Sequence, residues 1–140
     1  MKIEQIKDLF SQGEENLKGA ENELYRPSSD VVNYAVCVNG RKAIHYFMAC
    51  LYLYYCDENN DTPAEDPVIE EMLEYCKQHN KTLKEMDFSQ LNCMGKDVRK
   101  TDDFYCCNDV KTVSSCTKLA SDVRTIFVNE AGNGNTDFLN

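Results

Sequence analysis

Residues 31–56 read VVNYAVCVNGRKAIHYFMACLYLYYC. Apolar side chains recur on every side of any helix drawn through this stretch: Val31, Val32, Tyr34, Ala35, Val36, Val38, Ala43, Ile44, Phe47, Met48, Ala49, Leu51 and Leu53. A helix apolar all round must be enclosed, either by other helices or by lipid. Its length at the α-helical rise would be about 37 Å. Lipid is the poorer host. The uninterrupted run, Ala43 to Cys56, contains His45 and is too short to span. Extending it backwards would put Arg41 and Lys42 at mid-membrane, where charge is costly. The stretch is therefore expected to be the central helix of a bundle, the hub between the breaks at Pro27 and Pro63.

Outward from the hub, the flanks are helical too. Ile3 to Tyr25 carries a one-sided stripe (Ile3, Ile6, Leu9, Phe10, Leu17, Ala20, Leu24), with Gly13 and Gly19 as weak points, and Arg26-Pro27 ends it. Ser28, Ser29 and Asp30 are N-cap residue types ahead of the central helix. Asp57 to Pro67 reads as a polar loop. A third helix is expected over Val68–His79, a short one within Thr82–Asn92, and a loop over Cys93–Asp102. A last helix runs from about Tyr105 to Glu130, ended by Gly132 and Gly134. With 140 residues the chain has room for one core. The expected fold is all-α: an antiparallel, up-and-down bundle of four to five helices over residues 1–130, with a flexible tail at 131–140.

Charge and cysteines narrow the function classes. Acids outnumber bases, 24 to 15, for a formal net charge of −9, which disfavours a general nucleic-acid binder. The eight cysteines are Cys37, Cys50, Cys56, Cys76, Cys93, Cys106, Cys107 and Cys116. Several fall on apolar helical positions, and Met1–Phe10 shows no apolar leader core. They are expected to be reduced and mostly buried in a cytoplasmic protein.

Five constellations could carry chemistry. The first is the acidic run from Asp57 to Glu74, eight acids with no base. Asp57, Asn59 and Asp61 have the opening spacing of a calcium loop, but Thr62 stands where glycine is needed and Val68 where the bidentate glutamate is needed. The second, Cys76 and His79, sits at i and i+3, yet no second pair completes a zinc site. No metal and no cofactor is expected. The third is Arg41, Lys42 and His45. Arg41 and His45 share a helical face, and cations inside an apolar helix need an acid, a phosphate or a water-filled crevice. They are the ligand-binding candidates. The fourth is the set Tyr46, Tyr52, Tyr54 and Tyr55, read first as core. The fifth is the only basic region: Lys77, Lys81, Lys84, Lys96, Arg99 and Lys100, with Glu85, Asp87 and Asp97 the only acids in that span. These are the anion-facing candidates.

The sequence resembles the HEPN domain family, the higher eukaryotes and prokaryotes nucleotide-binding helical bundles, over roughly Leu17 to Glu130. The likeness lies in the first helix with Ala20 and Leu24, the second helix through Ala35–Leu51, the acidic loop followed by Met72–Cys76, and the last helix with Leu119, Ala120 and Val123. It implies an antiparallel bundle that dimerises, and a role as a ribonuclease or as the partner of a nucleotidyltransferase in a toxin–antitoxin pair. Catalytic members carry an arginine, then four to six intervening residues, then a histidine. Here Arg41 and His45 have three residues between them, and His79 has no upstream arginine at that distance. No catalytic residue is carried over. The leading expectation is thus a non-catalytic HEPN-like domain acting by association, as a homodimer or with a nucleotidyltransferase. The alternatives are a degenerate ribonuclease or nucleotide-handling enzyme using Arg41 and His45, and a metal-binding helical module.

Overall fold

The structure, a computed structural model, describes residues 3–27, 31, 33–89 and 110–134. It contains α1 (Ile3–Leu24), α2 (Asn33–Glu58), α3 (Ile69–Lys77), α4 (Lys81–Glu85) and α5 (Val110–Gly134), with no strand among the described residues. The all-α expectation holds. No helix is long and apolar enough to cross a membrane among the described residues.

The stretch quoted at the outset is α2, and it is the hub. It packs on α1, α3 and α5, while α1 also meets α5 and α4 packs on α3. Ile44, Phe47, Met48, Cys50 and Leu51 are all fully buried. The main core joins them to Ile6, Leu17, Met72, Leu83, Val123 and Phe127. A smaller cluster of Ala20, Val36, Cys37 and Val113 fills the other end of the bundle. Burying side chains of this size contributes roughly 1.5–3 kcal/mol each, before chain entropy is set against it.

The helix directions follow from the contacts. Residues 6, 13 and 19 of α1 face 50, 47 and 39 of α2, so this pair is antiparallel. Gly40 faces Thr117, and Tyr54 reaches Glu130, so α2 and α5 run parallel. In an up-and-down bundle the second and fourth long passes run parallel, so this pair does not break the alternation. The nine residues of α3 and five of α4 are too short to make a full pass along α2, which has 26. The return from the end of α2 to the start of α5, beside the start of α2, is therefore not made by α3 and α4 alone.

Gly13 is not a weak point. A Cβ built there would lie 2.7 Å from Cε1 of Phe47, so the missing side chain is what lets the ring approach the α1 backbone. The opposite face of α1 is tied to α5 by the ion pair of Arg124 with Glu14, and the Arg124 guanidinium lies 5.4 Å over the Phe10 ring.

The helix ends follow local chemistry. At the end of α2, Asn60 adopts φ 57°, Asp61 N–H donates to the Cys56 carbonyl and Asn60 N–H to the Asp57 carbonyl. This double bond pattern is a Schellman cap, with asparagine in the left-handed position. Glu70 and Glu71 lie in the first turn of α3, where the helix dipole favours them. Asn80 caps α4 by accepting from Leu83 N–H at 3.0 Å. The last helix continues past Glu130 to Gly134, and Ala131 is fully buried. The expected N-cap residues Ser28–Asp30, the loop Cys93–Asp102 and the tail at 135–140 lie outside the described residues.

Candidate functional site

The three cation candidates of α2 separate on folding. Arg41 and His45 are buried at 5% and 7% exposure, and Lys42 is half-buried. Arg41 and His45 both have partners within the fold, and the His45 ring stands edge-on to Tyr46 at 6.0 Å. His45 lines a pocket among the described residues. That pocket, of about 420 Å³, lies between α1, α2, α3 and the 63–67 loop, and its charged rim is Glu65 and Asp66. An acidic rim repels phosphate, so the arrangement does not suit a ribonuclease centre on Arg41 and His45.

The basic candidates converge instead. Lys77, Lys81 and Lys84 line one open concavity of about 660 Å³ together with Gln78, His79, Asn80 and Glu85. It forms because the turn between α3 and α4 is only three residues long, Gln78 to Asn80. The ammonium of Lys77 sits 5.9 Å from the Phe88 ring centroid, which leans its stem against the neighbouring surface. Lys96, Arg99 and Lys100 lie outside the described residues.

Beneath this concavity is a cluster the sequence did not announce. His79 stacks on Tyr55, with ring centroids 5.4 Å apart and planes at 30°, and leans on Tyr75 at 4.8 Å. Asn80 Nδ2 donates to the Tyr55 hydroxyl and to Glu130 Oε1, both at 3.0 Å. Tyr54 donates to the Glu130 carbonyl at 3.2 Å, Tyr75 to Asp61, and Tyr52 accepts from Ala64 N–H at 2.9 Å. The phenols are pushed above the ordinary tyrosine value. Burial is the main cause for all four. The Glu58 carboxylate adds to it for Tyr54, which reaches about 12, and Asp61 adds to it for Tyr75. For Tyr52 and Tyr55, hydrogen bonds from Ala64 and Asn80 oppose the rise without cancelling it. These phenols are neutral anchors. They hold α3, α4 and the end of α5 in register with α2, so they fix where the three lysines stand.

The tyrosine surplus of α2 is taken up inside one copy. Tyr52, Tyr54 and Tyr55 are buried, and Tyr25 is the one strongly exposed large hydrophobic among the described residues. The cysteines Cys37, Cys50, Cys56, Cys76 and Cys116 are buried thiols. Burial pushes the Cys50 and Cys76 thiols well up, and Cys50 donates to the Ile6 carbonyl. Such thiols are poor nucleophiles and poor metal ligands. Cys93, Cys106 and Cys107 lie outside the described residues. Among the described residues no group of three His, Cys, Asp or Glu could hold a metal ion. Asp57, first of the calcium-loop spacing, is still within α2.

No protein-family model, curated protein or solved structure matches the chain.

Proposed function

We propose that this is a non-catalytic, HEPN-like helical module that acts by association, its α3–α4 end receiving an acidic protein surface. One observation carries the reading: Lys77, Lys81 and Lys84 surround one concavity on a chain of net charge −9. On an acidic protein a partner's carboxylates are repelled everywhere except at such a face, so charge sets the docking orientation. The HEPN likeness implies a nucleotidyltransferase as one such partner. A second copy also meets the requirement, because Glu65, Asp66, Glu70, Glu71 and Glu74 are exposed on α3 and its preceding loop.

The test is sedimentation velocity at micromolar concentration in low and high salt, alongside titration with a short poly-glutamate peptide. Salt-sensitive self-association or peptide binding is expected, lost in the triple variant Lys77→Glu, Lys81→Glu, Lys84→Glu. A clean monomer that ignores the peptide, or association unchanged in the triple variant, overturns the reading.

A further inference from the structure

We infer that the pocket lined by His45 is a binding site for a small primary amine carrying an apolar body. The pocket's volume, about 420 Å³, lies in the ordinary range for small-molecule sites, roughly 300–1,000 Å³. Leu9 of α1, Ala49 and Leu53 of α2 and Met72 of α3 make an apolar floor, with the loop prolines Pro63 and Pro67 beside them. No lysine or arginine lines it. Its ionisable groups are the Glu65 and Asp66 carboxylates at the mouth and the His45 imidazole within. The apolar floor selects a body that leaves water, and the acidic mouth selects a cationic head at one end of it. An anionic ligand would meet two carboxylates, and a neutral one would gain nothing from them.

The mouth is held in place. Ala64 N–H donates to the Tyr52 hydroxyl at 2.9 Å, and Asp61 accepts from Tyr75. Asp66 adopts φ 52°, a left-handed conformation that aspartate and asparagine tolerate better than most residues. Two prolines restrict the backbone on either side of the acids. The carboxylates are thus presented by a braced segment, which reduces the ordering cost of binding. Asp66 already has an interaction within the fold. A carboxylate has about four acceptor positions, so an ammonium can still be accommodated.

Three ligands of one shape and different charge test this by isothermal titration: tryptamine, indole-3-ethanol and indole-3-propionate. Tryptamine is expected to bind. The alcohol should be roughly tenfold or more weaker, the difference between a charge-assisted and a neutral hydrogen bond. The propionate should give no signal. Glu65→Gln with Asp66→Asn should erase the charge preference at unchanged melting temperature, because asparagine keeps the left-handed backbone. Gln5→Trp, at an exposed position on the wall, should block the amine. The charge reversal of Lys77, Lys81 and Lys84 should leave it untouched, which separates this site from the association face. Equal binding of all three ligands, absence of tryptamine binding, or binding that survives both the carboxamide pair and Gln5→Trp overturns the inference.

Discussion

From Val36 to Gly40, α2 packs small side chains. Val36 and Cys37 meet Ala20 and Val113, and Gly40 lies against Thr117. From Phe47 to Cys56 it packs rings, and three of those rings are tyrosines whose hydroxyls are all hydrogen-bonded to neighbouring elements. Both halves read as apolar all round, yet they constrain the fold differently. Small aliphatic contacts are non-directional, so the first half fills space and tolerates small adjustments. A buried phenol must place its hydroxyl on a partner, so the second half fixes the 61–64 loop, the α4 cap and the end of α5. Both candidate surfaces, the lysine concavity and the His45 pocket, adjoin the directional half.

The largest effect expected from this contrast is on stability. Phe47→Ala should cost about 3–5 kcal/mol, since the ring is fully buried at the centre of the main core. Val36→Ala, equally buried in the small-residue half, should cost about 2 kcal/mol. Urea unfolding of the two variants measures the difference. Equal costs would mean that the two halves share one core and that the contrast is only chemical.

Alkaline pH sharpens the comparison next. In the folded chain Tyr52, Tyr54, Tyr55 and Tyr75 titrate above their ordinary value, near 10, and Tyr54 at about 12. The folded state therefore holds protons that the unfolded state releases. Their contribution to stability is complete below pH about 10 and is lost as pH rises towards the folded values. The midpoint of chemical unfolding should fall through this window. Tyr54→Phe removes one ionising group from the unfolded chain, so the fall between pH 10 and about 12 should become shallower. Val36→Ala should shift the whole curve and leave its slope alone. A slope unchanged by Tyr54→Phe would show that the phenol titrates equally in both states.

The same contrast marks what could be read from the letters. Apolar residues on every side of residues 31–56 leave no stable option but enclosure, so the hub was legible. Arg26-Pro27 and the 132–134 glycines set helix ends within a few residues. How far α3 and α4 travel along α2 was not legible, because periodicity does not report it. The lysines at 77, 81 and 84 were visible as a charge run, and their shared concavity follows from a turn of three residues. The stack of His79 on Tyr55 was hidden, since its residues lie far apart in the chain and tyrosine at a core position gives no sign of its partner. His45 could be read as needing company, but its pocket is completed by a loop and two other helices.

Two glycines give the smallest and sharpest comparison. Replacing glycine by alanine in a helix interior favours the helix by about 1 kcal/mol when the new methyl group has room. At Gly40 the added Cβ would lie 3.6 Å from Thr117 Oγ1, an ordinary contact. Gly40→Ala should therefore raise stability by up to about 1 kcal/mol. At Gly13 the Cβ would lie 2.7 and 2.9 Å from two carbons of the Phe47 ring, and that ring is fully buried. Overpacking of this kind costs roughly 1–3 kcal/mol, more than the propensity gain returns, so Gly13→Ala should be net destabilising. Combining Gly13→Ala with Phe47→Leu, which withdraws the ring edge, should restore part of that loss, and a double-mutant cycle by thermal unfolding measures the coupling. Additive single effects would show that α1 does not rest on the Phe47 ring at Gly13, and the directional half of α2 would then begin one turn later.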